Sequence, residues 1–107
     1  MTKKNSTPAK TGYIVLTLTV SKEGKHYVSE CAELGTASFG ESFDEALANI
    51  IEATGEYLGA IERLGERKRI FGERGITIHR ARPRKVRQEY EIPPGAFVGP
   101  YVTKVPA

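Results

Sequence analysis

One cysteine, Cys31, is all that this chain of 107 residues has, so it forms no internal disulfide and no multi-cysteine metal site. There is also no apolar run long enough for a signal core or a membrane span, and the expected compartment is therefore the cytoplasm. Acidic residues are missing from His79 to Arg87, where Arg80, Arg82, Arg84, Lys85 and Arg87 fall, while the rest of the chain is close to neutral under a net charge of +3. That basic patch is the one electrostatic feature to interpret. A phosphate-binding loop is missing as well. Gly35 to Gly40 precedes a helix start, but no lysine follows the glycine, and Asp44 and Glu45 would repel an anion there.

The length suits one domain with a single modest core. Residues 1–12 are polar and lysine-rich, too poor in apolar surface to offset the entropy of ordering them, and are expected to form a flexible lead-in. From Tyr13 to Val20 apolar and β-branched residues alternate, with Ile14, Leu16, Leu18 and Val20 on one side, which predicts a strand. Ser21 to Lys25 supplies a turn with Gly24, and His26 to Cys31 returns as the second strand of a hairpin. A third short strand is predicted over Gly35 to Phe39, its small side chains allowing close approach of another element.

Ser42 and Glu45 then form a capping box: the hydroxyl accepts from the Glu45 amide and the carboxylate reaches back to the Ser42 amide. The helix therefore starts at Phe43, and Asp44 and Glu45 suit the positive end of its dipole. Phe43, Ala46, Leu47, Ile50, Ile51, Thr54, Tyr57, Leu58, Ile61 and Leu64 recur at three-and-four spacing, so one stripe is expected to pack on the sheet. Gly65 is expected to end this helix, a short charged helix to follow over Glu66 to Arg74, and a fourth strand to form at Ile76 to Ile78 after Gly75. The order is β-β-β-α-(α)-β. It predicts an α+β fold: a three-to-four-stranded, mainly antiparallel sheet with one long helix on one face, followed by an extended proline-rich arm.

Three passages in order resemble the HicB-like antitoxin family: Tyr13-Ile14-Val15, then Gly24 to Leu34, then Gly35 to Leu47 running on into Ala48 to Ala53. The likeness covers about Tyr13 to Ile78, so residues 13–79 are read as the HicB-like domain and 80–107 as a separate basic, then proline-rich arm. Ala32 stands where the family often has proline. The resemblance implies a partial, degenerate ribonuclease H-like unit that binds and masks a small HicA-type toxin, an mRNA-cleaving ribonuclease. It also implies a homodimer or higher oligomer, and the exposed sheet edges argue the same way.

Catalysis is not expected. A two-metal nuclease needs a carboxylate on the first strand, and Tyr13 to Val20 has none; Glu30 and Glu33 alone make no cage. His26 and Cys31 lie five residues apart on one strand and so point to opposite faces, which leaves Cys31 a small buried residue. His79, beside Arg80, is read as a solvated strand end. No metal or cofactor site is predicted. A basic toxin would favour the acidic face of the helix, making Glu52, Glu56 and Glu62 the candidate partner contacts.

Many relatives in that family carry a helix-turn-helix or ribbon-helix-helix next, but Pro83, Pro93, Pro94, Pro100 and Pro106 interrupt every window long enough for a recognition helix. The arm is nonetheless apolar, with Phe97, Val98, Tyr101, Val102 and Val105, so it is expected to lie on its own sheet, exchange with a neighbouring subunit, or cross a toxin. Two other classes remain open. One is a nucleic-acid module in which Arg80, Arg82, Arg84, Lys85 and Arg87 contact phosphates and Tyr90 stacks on a base; the other is an orphan scaffold without a toxin.

Overall fold

The computed structural model describes residues 10–84 and 94–107. Its elements are β1 (Thr11–Glu23), β2 (His26–Cys31), β3 (Thr36–Gly40), α1 (Phe43–Arg63), α2 (Arg67–Arg74) and β4 (Ala96–Pro106). The strands form one antiparallel sheet in the order β3-β2-β1-β4. The α+β reading therefore holds, with two helices and four strands among the described residues.

β1 is the spine, and its alternation decides the layers. Ile14, Leu16, Leu18 and Val20 are all buried, and the first three join Cys31, Leu34, Ile50, Ile61, Phe71 and Val105 in one core. Burying side chains of this size contributes about 1.5–3 kcal/mol each. On β2, Cys31 stands opposite Leu18 and therefore shares its face, beneath α1. Thr36 and the fully buried Thr54 bring their hydroxyls to 3.3 Å, a polar tie between β3 and α1.

Helix α1 begins where the sequence places it. The Ser42 hydroxyl accepts from the Glu45 amide at 3.1 Å, but the Glu45 carboxylate accepts from the Glu41 amide at 2.7 Å, one residue further back than the Ser42 amide that the capping box predicts. Ser42 is extended, as an N-cap residue ordinarily is. Gly40 sits so close to that turn that a Cβ on it would lie 2.5 Å from the Ala46 nitrogen. At the other end the Glu66 amide donates to the Ile61 carbonyl and the Gly65 amide to that of Glu62, a Schellman closure that needs the left-handed Gly65, φ 70°.

The fourth strand is not where the alternation of Ile76 to Ile78 predicts it. His79 makes a single bridge to Tyr13, donating to and accepting from its backbone at 2.7 and 2.9 Å, and residues 76–78 are not a strand. Three alternating residues offer too short a ladder, whereas β4 pairs with β1 over eleven positions, from Thr11 opposite Pro106 to Ser21 opposite Ala96. β4 belongs to the segment read as a separate arm. It completes the sheet, and Val105 enters the core.

The prolines of β4 fit because of register. Thr17 directs its backbone away from β4, accepting from the Ala32 amide and donating to the Glu33 carboxylate. Pro100, opposite Thr17, then turns its nitrogen to the free edge, where no ladder donor is missed; Pro106, opposite Thr11, has the same parity.

Candidate interaction surfaces

The helices cover one face of the sheet, and among the described residues no helix or strand lies over the other. Register gives the open face row by row: Ala96, Ser21, Val28 and Phe39 lie abreast, then Val98, Thr19, Glu30 and Ala37. Along the β1–β4 ribbon follow Pro100 beside Thr17, Val102 beside Val15, and Lys104 beside Tyr13. Phe39 is 65 % exposed, and with Val28, Ala37, His26 and Glu23 it lines a shallow depression of about 540 Å³. In the two rows of four, Glu30 is the one charged side chain.

At the margin of this face the half-buried Glu33 carboxylate accepts from the Thr17 amide at 2.7 Å and from the Thr17 hydroxyl at 2.8 Å. This acid thus ties the β2–β3 turn to β1. The Cys31 sulfur lies 3.9 Å from the same carboxylate. Burial pushes the Cys31 thiol up, the Leu34 backbone hydrogen bond opposes this in part, and the Glu33 charge adds to it. A protonated, buried thiol is a poor nucleophile. His26 is on the other face, where its Nδ1 lies 3.3 Å from the Glu41 carboxylate in an exposed pair. Among the described residues no group of three or more His, Cys, Asp or Glu side chains is placed to hold a metal ion.

Of the acidic candidates, Glu52 and Glu56 are exposed and one turn apart on α1, opposite the stripe that carries Ala46, Ile50 and Thr54. Glu62 is set apart from them. It stands 3.3 Å from the Nε of Arg67, which also donates to the Pro106 carbonyl, so this acid ties α1, α2 and β4 together. Beside that tie runs a cleft of about 350 Å³ between α1 and β4, walled by Leu58, Phe71 and Val105. The helical period itself sets Glu62 apart, about 120° from Glu56 and one turn after Leu58 of the apolar stripe, and the structure pairs it there with Arg67.

Of the basic candidates, Arg80, Arg82 and Arg84 are exposed, while Lys85, Arg87 and Tyr90 lie outside the described residues. On α2, Arg69 bridges Glu66 and Glu73 at 2.6 and 3.2 Å. The passage weighed as a phosphate loop, Gly35 to Gly40, is a turn followed by β3.

The open sheet face was missed in the sequence because its residues alternate with the core residues of the same strands. Val15, Val28 and Val98 look like core positions until the register assigns them to the uncovered side.

No family model matches the chain, and neither a curated protein nor a solved structure matches it. No helix among the described residues is long and apolar enough to cross a membrane.

Proposed function

We propose that this protein is an antitoxin-like inhibitor of the HicB-like kind, which neutralises a small, basic, HicA-type mRNA-cleaving toxin by direct contact in the cytoplasm. The reading rests on one observation: the passages that resemble the family are consecutive structural elements, the β1–β2 hairpin, β3 and the capped start of α1. The same helix turns Glu52 and Glu56 to solvent, a row of charge suited to a basic partner. Inhibition of this kind is a binding role and needs no catalytic group or cofactor of its own.

The test is genetic and biochemical. A short adjacent reading frame encoding a basic domain with one histidine should arrest growth when expressed alone, and co-expression of this chain should relieve the arrest and yield a stable complex. No relief and no complex with a soluble partner would reject the reading. The nucleic-acid reading is favoured by the exposed Arg80, Arg82 and Arg84; replacing all three with alanine should then weaken binding and flatten its salt dependence.

A further inference from the structure

Within α1, Gly55 and Gly59 stand where no turn or positive φ asks for glycine, and each costs helix stability relative to alanine. Both line the cleft of about 350 Å³ between α1 and the side of β4 that carries Thr103 and Val105. A Cβ on Gly55 would meet nothing within 4 Å, whereas one on Gly59 would lie 3.3 Å from the Arg63 guanidinium, which folds back over that glycine. Leu58, Phe71 and Val105 supply apolar walls. One end is closed by α2, through the tie of Arg67 to Glu62 and to the Pro106 carbonyl. A second recess of about 260 Å³ shares Lys104, Val105 and Pro106 with the first and adds Lys10. The polar margin is basic. Arg67 already holds Glu62, the one acid that lines either recess, whereas Lys10, Arg63 and Lys104 have no ion-pair partner among the described residues. The backbone adds a fixed donor. Tyr13 gives both its amide and its carbonyl to His79, so Lys104, opposite Tyr13, turns its amide to the free edge of β4, where Arg67 also meets the Pro106 carbonyl.

We propose that this cleft binds a small amphipathic carboxylate, with its aliphatic chain against Leu58, Phe71 and Val105 and its head between the Arg63 guanidinium and the Lys104 amide. The size suits one such molecule, since small-molecule sites run from about 300 to 1,000 Å³. The end closed by α2 denies a longer peptide a through passage. Charge decides the head group: a cation would be repelled by Arg63 and Lys104, and a neutral head would leave both without a counter-charge. A planar carboxylate, by contrast, takes two parallel hydrogen bonds from a guanidinium edge. The missing side chains at Gly55 and Gly59 leave the space that the aliphatic chain fills, which gives these two helix-weakening residues a role. The inference goes beyond the antitoxin reading and does not rest on it, since Glu52 and Glu56 do not line the cleft.

Octanoate, titrated into the nitrogen-15-labelled full chain and followed by amide chemical shifts, tests it. It should saturate with a dissociation constant of about 1 mM or below and move the amides of Gly55, Gly59, Lys104 and Val105. Acetate should leave those amides in place, and octanol and octylammonium should bind at least about 10-fold more weakly than octanoate. Gly55→Leu sets a good helix former into the open space of the cleft. It should weaken octanoate at least about 10-fold with an unchanged far-ultraviolet circular dichroism spectrum. Arg63→Gln, at an exposed position, should weaken octanoate at least about 5-fold and leave octanol unchanged, and it serves if the Gly55 variant fails to fold. Shifts that do not saturate or that fall outside the cleft overturn the proposal. So does acetate, octanol or octylammonium matching octanoate, or either folded variant binding octanoate as the wild type does.

Discussion

Glu33 reaches across from the β2–β3 turn to Thr17, and removing it should test how the turn is held to the spine of the sheet. Its carboxylate takes both the backbone amide and the hydroxyl of Thr17, a residue only 2 % exposed. Hydrogen bonds to a charged group contribute about 1.5–3 kcal/mol each, and the half-buried setting places these toward the lower end. Glu33→Ala leaves the Thr17 donors without that acceptor and should destabilise the chain by about 3 kcal/mol. Glu33→Gln keeps one acceptor for the amide and lets the hydroxyl turn to accept from the new NH₂, so its loss should be about 1 kcal/mol. With a urea slope of about 1–3 kcal/mol per molar, the alanine variant should lower the denaturation midpoint by roughly 1–3 M, read by circular dichroism. A double-mutant cycle with Thr17→Val should return a coupling of about 1 kcal/mol for the hydroxyl contact alone. Equal losses for the alanine and glutamine variants, or strict additivity with Thr17→Val, would refute the reasoning.

Ser42→Ala should cost about 1 kcal/mol in thermal or urea unfolding, the usual loss for an N-cap hydroxyl. Gly40→Ala should destabilise by at least about 1–3 kcal/mol by the same measurement, because its methyl would press on helix backbone 2.5 Å away that cannot swing aside. The raised thiol of Cys31 makes a pH prediction: the folded chain holds this proton more tightly than the unfolded chain. Its contribution is therefore present below the ordinary thiol pKa of about 8.5 and is lost as pH rises above it, a loss that Cys31→Ala should remove from urea midpoints compared across pH 8–10. On the antitoxin reading, Glu52→Lys with Glu56→Lys should weaken toxin binding at least about 10-fold in titration calorimetry and leave stability within about 0.5 kcal/mol.

The local signals were legible where chemistry between near neighbours decides them. Ser42 and Glu45 mark the helix start, Gly65 marks its end, and the alternation from Ile14 to Val20 names the side of β1 that is buried. Even there the carboxylate of Glu45 accepts from the Glu41 amide, not from the Ser42 amide that the capping box predicts. The candidate acids were legible as exposed residues, and the helical period already places Glu62 about 120° from Glu56, beside Leu58; what the sequence did not show is that Arg67 pairs with it.

What the sequence by itself determined is the α+β class, the hairpin, the long capped helix and the buried half of each strand, all of which follow from contacts a few residues apart and from periods of two and 3.6. What only the tertiary structure decided is which segment becomes the fourth strand and which face is left open. Ile76 to Ile78 and the stretch after Gly95 are both apolar and extended in pattern, but the latter pairs with β1 over eleven positions whereas the former leads only to a single bridge at Tyr13, on the other edge of β1. β4 fills the edge of β1 opposite to the one that carries β2 and the His79 bridge, a long-range pairing that no local pattern encodes. The same pairing aligned Val98 and Ala96 with Thr19, Ser21 and Val28, bringing residues from distant segments onto one face of the sheet.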